Sequence, residues 1–513
     1  MAKQTKRKPA AAAVSPLKPP PGGAVVRMYR IGHGDCFLIA FAGKKPDKPA
    51  YVLIDCGYKP GSPAELANPT KVKDIGADII ATTGGFVDVA IVTHEHQDHV
   101  NGLTAKNFPE LKVGEAWFAW TEDGHDAIAN KLRKKFNDRL LGLIDASSQL
   151  HRLALTEAAD KVADFLEFEL GEDPRGFRGT GLGAAGKDPA SSVNKLAMKF
   201  LRDCADGDPV YLLPHEKPVP IRGAASARAF ALGPPHDIDK IDDLDPEGEE
   251  SFGDDDHAQA VASGGVGTGG SARKSPFPRR HVIPLEGAFT HPEFGAFFTV
   301  HFGNQNVADA ADYADIPDNV PWRRIGADCA ADAAALALAM SNATNNSSLV
   351  LAFELSKGGK VLLFAGDAQA GNWRSWSEQP FADGNAEVTA KDLLARTVLY
   401  KVGHHGSHNA TLHGELKSNY ANLSWIAQGE TRGEFVAMIT AVEKWAHHKP
   451  KPDWNHPFPA IKEALEEKAG GRVLQTDCDL QDNPPAGAKA SEWRAFRKRL
   501  TQTPLFFDLM IEG

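Results

Sequence analysis

Six residues constrain this chain more than any others: His94-Glu95-His96-Gln97-Asp98-His99. They follow Val87 to Val92, a run that is apolar except for Asp88 and of the kind that forms a strand covered on both faces. The run predicts a buried strand, with the cluster on the loop at its C-terminal end. A loop can aim several side chains at one point, whereas a regular strand or helix of six residues divides them between faces. Imidazole and carboxylate are the ligand types that hold zinc, manganese or iron. Two pairs at this spacing suit two cations, with His94 and His96 on one side and Asp98 and His99 on the other.

Two later segments extend the set. Val361 to Ala365 is apolar and runs into Gly366-Asp367. An aspartate just past a buried strand can bridge two cations with its two oxygens. Tyr400 to Gly403 then leads into His404-His405-Gly406-Ser407, which brings a further imidazole to the same place. His404 is the preferred ligand of that pair, being first after the strand. His405 then serves behind it or contacts a phosphate, and the reverse assignment stays open.

The rest of the chain frames this centre. Of its 513 residues 42% are hydrophobic, ample for a sizeable core. No run approaches the ~20 apolar residues that span a bilayer, and no signal-peptide pattern follows the basic start. The expectation is a cytoplasmic protein with no membrane partner. Cys36, Cys56, Cys204, Cys329 and Cys478 are odd in number and widely spaced, which predicts free thiols. Strand patterns cover residues 24–29, 36–41 and 51–55. Asp126 to Ile144 sets Ile128, Leu132, Phe136, Leu140 and Ile144 at spacings of four, one apolar helical stripe. Helix patterns also cover 148–168 and 191–201. From Asp237 to Asp256 there are 11 acidic residues against the single Lys240, so this segment alone carries as much net charge as the whole chain, -10. A Gly- and Ser-rich stretch follows to Ser275, and the two together read as a disordered loop. Strand patterns resume at 348–354, 361–364, 397–402 and 435–439. A helix over 459–468 and a strand starting at 472 come last.

In this order the motifs resemble the metallo-β-lactamase superfamily, whose HxHxDH signature His94 to His99 fits. Within it the chain is most similar to the soluble hydrolase domain of ComEC-type competence proteins. Tyr29-Arg30-Ile31-Gly32-His33-Gly34-Asp35 resembles that group's opening turn, and Leu53-Ile54-Asp55-Cys56-Gly57 its LIDxG. Leu232-Gly233-Pro234-Pro235 and Asn345-Asn346-Ser347-Ser348 resemble the segments before its Gly-Asp motif. Lys401-Val402-Gly403-His404-His405-Gly406-Ser407 resembles its HHGS segment, and Asn455, His456-Pro457 and Thr476-Asp477 its closing motifs. The resemblance implies an α/β fold, the αββα four-layer metallo-β-lactamase sandwich, carrying a large helical and disordered insertion. The expected division is a basic tail over 1–23 and a first half of the core over 24–124. An insertion over 125–340 follows, helical in 125–205 and disordered around 237–275. The second half of the core is 341–480, and 481–513 is a C-terminal extension.

The resemblance also implies an activity. Two divalent cations, Zn2+ or Mn2+, lower the pKa of a shared water towards ~7, and the bridging hydroxide attacks an electrophilic centre. The HHGS segment points to phosphodiesters, with DNA or RNA as candidate substrates. His94, His96, Asp98, His99, Asp367 and one or both of His404 and His405 are the expected ligands. Asp98 and Asp367 also serve the chemistry, and His456 is the candidate general acid. Ser407, His408, Asn409 and Thr411 offer donors to a phosphate. Lys131, Lys134 and Lys135 on the basic helix offer further contacts to nucleic acid. Asp35, Asp55, Asn346 and Ser347 are expected to support the ligands from behind. The histidine that many superfamily members carry before the Gly-Asp strand is replaced by Asn345-Asn346, and His125, His215 and His236 are candidate substitutes. A small-molecule ester, lactone or phosphorylcholine-type compound is the alternative substrate. A regulatory or scaffold protein that keeps the metal site, with a protein partner on its insertion or tails, is the alternative of another class.

Overall fold

The apolar run before the histidine cluster becomes a central strand, and the whole molecule is arranged around its end. The computed structural model describes residues 17–62, 71–152, 156–177, 186–252, 292, 295–296, 325–447 and 454–513. The first 16 residues of the basic tail and the Gly- and Ser-rich stretch lie outside the described residues.

Seventeen strands follow one another along the described chain. They are β1 (Ala24–Tyr29), β2 (Cys36–Lys45), β3 (Lys48–Cys56), β4 (Phe86–Ile91), β5 (Lys112–Ala119) and β6 (Val210–Leu212), then β7 (Val219–Pro220), β8 (Arg228–Gly233), β9 (Val350–Glu354) and β10 (Val361–Phe364). After these come β11 (Phe381–Asp383), β12 (Ala386–Val388), β13 (Thr397–Lys401), β14 (Val436–Ile439), β15 (Val473–Gln475), β16 (Leu500–Gln502) and β17 (Phe506–Ile511). One sheet has eight strands in the order β16-β17-β1-β2-β3-β4-β5-β6, and a second has seven in the order β15-β14-β13-β10-β9-β8-β7. Strands β11 and β12 form a separate hairpin. In both sheets antiparallel pairs occupy one end and parallel pairs the other. Strands β3 to β6 pair in parallel, as do β10, β13, β14 and β15.

Apolar residues of both sheets share one core. Val89 and Ile91 of β4 meet there with Phe364 of β10, Leu399 of β13 and Met438 of β14. Ala90 on the opposite face of β4, and Val92 just past its end, pack with Ile75 and Ile79 of the helix Val72–Thr83 and with Ala197, Met198 and Leu201 of the helix Val193–Cys204. The outer face of the second sheet packs with Trp373, Leu393, Ile461 and Leu465 from three further helices. A strand covered on both faces has no polar side to present, which is why β4 is apolar except at Asp88, whose Oδ2 accepts from the Tyr51 N–H at 2.9 Å. The chain is therefore α/β, as expected.

The segment read as an insertion contributes more than helices. Ala127–Arg152 and Thr156–Leu170 form a cluster with Ile325–Asn346 through Leu143, Val162, Leu166 and Met340. Val193–Cys204 instead packs on the first sheet. Strands β6, β7 and β8 belong to the two sheets. The acidic segment is described as far as residue 252. It folds into short helices at Ile238–Ile241 and Gly248–Glu250. Strand β17, in the C-terminal segment, pairs antiparallel with β1 along six residues.

No helix among the described residues is long and apolar enough to cross a membrane. Cys36, Cys56, Cys204 and Cys478 are free, with Cys36 and Cys56 buried.

Candidate metal centre

The parallel strands of both sheets deliver their C-terminal ends to one place. β4 ends at Ile91 and leads into His94–His99, β10 ends at Phe364 before Asp367, and β13 ends at Lys401 before His404 and His405. Two glycines make the close approach possible. A Cβ on Gly57 would stand 2.4 Å from the backbone nitrogen of His99. Gly366 has φ +53° and would press a Cβ against Ser348 and Thr93 at 2.9 and 3.1 Å. The left-handed backbone there suits glycine and strains other residues.

Asp367 is the hub. Its Oδ2 lies 3.2 Å from His99 Nε2, 3.6 Å from His405 Nε2 and 4.0 Å from His94 Nε2. His405 Nε2 is also 3.0 Å from Asp98 Oδ2, and His94 Nε2 is 3.1 Å from His96 Nδ1. His94, His96, Asp98, His99, Asp367 and His405 are all buried. Among the described residues Asp367 Oδ2, Asp98 Oδ1 and His99 Nε2 have no hydrogen-bond partner, although His99 Nε2 and Asp367 Oδ2 face each other as an ion pair. Buried polar atoms left without a hydrogen bond are costly, so three together need an explanation. The donor set supplies one, because imidazole nitrogens and carboxylate oxygens gathered this closely fit a divalent cation. His94, His99 and Asp367 form one group able to hold a metal ion, with ligand atoms within 4.8 Å of one another. Asp35, His99 and His405 form a second. Asp35, however, has both oxygens engaged, Oδ1 by Thr440 Oγ1 at 2.6 Å and Oδ2 by Lys401.

Partners behind the rings decide which nitrogen faces inward. His99 Nδ1 donates to Asp55 Oδ2 at 2.8 Å, which leaves Nε2 towards Asp367. Asp55 is held in turn by the Thr93 backbone N–H and hydroxyl at 2.8 and 2.7 Å. His405 Nδ1 donates to the Thr440 carbonyl at 3.1 Å. His96 Nε2 donates to Glu169 Oε1 at 2.8 Å, which turns its Nδ1 towards His94. Such outer contacts fix tautomer and ring orientation at metal sites.

Charge follows the same geometry. Burial pushes Asp367 up, but His99, His405 and Lys401 together hold it well below the usual carboxylate range. Burial pulls His99 and His405 down, yet the facing carboxylates carry both above the ordinary imidazole value. Burial and the neighbouring rings push His94 well down, favouring the neutral form that a ligand needs.

The two histidines after β13 take different directions. Both have left-handed backbones, φ 43° and 53°. His405, rather than the His404 preferred on chain order, reaches Asp98 and Asp367. His404 Nε2 faces Asn345 Nδ2 at 3.2 Å, and burial drives its pKa down to about 4. His456 stacks on His33 at 5.6 Å between ring centroids and lies 5.2 Å from His404.

Other expected residues are placed differently. Thr411 is wholly buried, its hydroxyl 2.9 Å from that of Tyr400. Ser407 is buried, its N–H donating to the His404 carbonyl at 2.9 Å. Asn409 Nδ2 and His408 Nε2 face Asp245 at 3.4 and 3.7 Å. Lys131 and Lys134 are exposed on their helix, while Lys135 pairs with Asp242. The acidic segment thus packs beside several groups expected to meet phosphate. Asn346 bridges elements: its Nδ2 donates to the carbonyls of Lys240, Ile241 and Asp243, and its Oδ1 accepts from Gln369 and Asn372. Ser347 Oγ donates to the Thr344 carbonyl at 2.7 Å. His125 is exposed, His236 pairs with Asp126, and His215 packs on Phe381, so none of the three joins the cluster.

Sequence reading missed Glu169, Lys401, Thr440 and the neighbouring role of His33. Lys401 carried a signal, being a lysine at the end of an otherwise apolar buried strand. Its Nζ donates to the Gly366 carbonyl at 2.9 Å and lies 3.5 Å from Asp367 Oδ1. No protein-family model matches this chain, and no curated protein matches it.

Proposed function

We propose that this protein is a metal-dependent hydrolase with the metallo-β-lactamase sandwich, acting on phosphodiesters with two divalent cations, zinc or manganese. The observation that carries the reading is the buried Oδ2 of Asp367, without a hydrogen bond but within 4.0 Å of three imidazole nitrogens that come from two different loops. His94, His96 and Asp367 would hold one cation. Asp98, His99, His405 and Asp367 would hold the other. Such a pair supplies Lewis acidity and water activation at neutral pH.

The chain's own residues set the rest. Lys401 anchors the Asp367 carboxylate from the side away from the rings and neutralises Asp35. Glu169, Asp55 and Thr440 hold three imidazoles in the ligating orientation. The Val442 N–H donates to His33 Nδ1 at 3.3 Å, so in neutral His33 the proton sits on Nε2. That nitrogen faces His456 Nδ1 at 3.5 Å. His456 is thereby biased to carry its own proton on Nε2, and burial keeps the pair neutral. A neutral imidazole with a fixed N–H can stabilise a leaving oxygen by a hydrogen bond without giving up its proton, and we assign His456 that role in place of general acid.

The test is metal analysis of purified protein, with activity on bis(4-nitrophenyl) phosphate and on single- and double-stranded DNA and RNA. Asp367→Ala is expected to lose bound metal and to reduce cleavage to background. Phosphodiester cleavage that persists after complete chelation would overturn the reading.

A further inference from the structure

A cavity of about 230 Å³ lies between the end of the first sheet and the helices that follow it. Its walls are largely apolar: Val92, Leu132, Phe136, Leu170, Met198 and Met340 line it. It also touches His94 and Glu169. The cavity therefore shares one expected ligand of the metal centre and the residue that orients another.

The charged groups on its wall are already paired. Glu95 meets Lys195, and Glu122 accepts from Arg202 at 2.6 Å. Arg133 donates to the carbonyls of Thr121 and Asp123. Glu169 is taken by His96. A charged occupant would have to break one of these pairs in a confined site, whereas an uncharged one would not. Size narrows the occupant further. An apolar cavity of roughly 150 Å³ admits benzene, and drug-sized ligands need about 300 Å³ or more. The volume here lies between, enough for one ring system and too small for a stacked base pair.

We propose that this cavity is a subsite for an uncharged aromatic group of the substrate, one nucleobase or an aryl ring, while the phosphodiester lies at the metal centre. This deepens the hydrolase reading and rests on it for the identity of the attached phosphate. The helices Ala127–Arg152, Thr156–Leu170, Val193–Cys204 and Ile325–Asn346 all contribute wall residues. The segment between the two halves of the fold is then a specificity element. It selects esters with one free ring rather than the interior of a duplex.

Binding of indole to the full-length protein, by calorimetry, tests the cavity without reference to activity. Leu132→Trp fills the cavity from the helix face. Phe136→Trp does so from a half-buried position and guards against a folding failure at Leu132. Both are checked by metal content and near-ultraviolet circular dichroism. The expected result is saturable indole binding by the wild type, weakened at least tenfold in folded variants. The ratio of kcat/KM for bis(4-nitrophenyl) phosphate to that for methyl 4-nitrophenyl phosphate should fall in the same variants. No indole binding by the wild type, or binding equal in all three proteins, would overturn the subsite. Indole binding that the variants abolish, in a protein that cleaves no phosphodiester, would keep the aromatic subsite and remove the hydrolase reading instead.

Discussion

Glu169 and His96 are both buried and 2.8 Å apart, yet they come from positions 73 residues apart in the chain. The carboxylate accepts from Nε2, so the ring's other nitrogen faces His94. Phe168, the preceding residue, packs on the same imidazole at 4.3 Å between centroids. Outer partners of this kind are worth about 10–100-fold in metal affinity. On the proposed metal-dependent reading, Glu169→Ala should therefore weaken binding of a cation at His94 and His96 by roughly that factor, read by titration against a competing chelator. Glu169→Gln, whose carbonyl still accepts from Nε2, should retain most of the affinity. Equal affinity in Glu169→Ala and wild type would show that Glu169 does not orient the ligand. The cluster from His94 to His99 was legible because its residues are contiguous and follow a recognisable strand. Glu169 and Thr440 were not, because each acts across long separations that no local pattern encodes, and Lys401 left only the trace of a charge at the end of an apolar strand. Chain order likewise could not choose between His404 and His405. Two successive left-handed residues turn the rings apart, and only the surrounding contacts hold that backbone, which costs about 1–3 kcal/mol per residue.

Among the elements, the hairpin of β11 and β12 is tied to the second sheet by charge. Asp383 accepts from both terminal nitrogens of Arg228 on β8 at 2.7 and 3.0 Å, and Lys357 approaches it at 3.0 Å. The hydrogen bonds to Arg228 and Lys357 lead in lowering its pKa from 3.8 to about 2. A carboxyl whose folded value is depressed stabilises the fold fully above its unfolded value and loses that contribution as pH falls towards the folded one. The shift corresponds to ~2 kcal/mol at 1.36 kcal/mol per pH unit. Solvent screening at the hairpin's edge brings this nearer ~1 kcal/mol. Asp383→Asn should thus lower the urea midpoint at pH 7, and the gap to wild type should narrow between pH 4 and pH 2. A gap that stays constant over that interval would exclude the linkage. Element legibility followed side-chain pattern. Strands β4, β10, β13 and β14 are short apolar runs that stand out. The helix Ile325–Asn346 does not, although alanine is the best helix former, because an alanine-rich sequence draws no clear apolar stripe.

At the scale of the whole molecule, the two sheets repeat one plan, a meander followed by parallel strands, and the centre sits where their parallel ends meet. The C-terminal segment closes the first sheet. Nothing in its charged helix Ala490–Arg499 announces this, but the six residues of β17 alternate into the shared core through Phe507, Leu509 and Ile511. Arg27 of β1 is wholly buried and donates twice to Asp508 at 2.7 Å, with Asp78 at 2.6 Å and Thr82 at 3.3 Å among its further partners. Ending the chain at residue 480 would remove six buried apolar side chains, Trp493, Phe496, Phe506, Phe507, Leu509 and Ile511, each worth roughly 1.5–3 kcal/mol of burial. It would leave a buried cation with half its compensation, a further cost of about 3–5 kcal/mol. It would also expose the unpaired backbone of β1, a template for association between copies. The combined loss rivals the ~5–15 kcal/mol that separates folded from unfolded domains. The truncated chain is therefore expected in the insoluble fraction. Asp508→Asn, which keeps β17 but weakens the Arg27 contact, should stay soluble with a lowered Tm. A soluble truncated protein melting at the wild-type temperature would show that β16 and β17 are an appendage to the fold and not part of it.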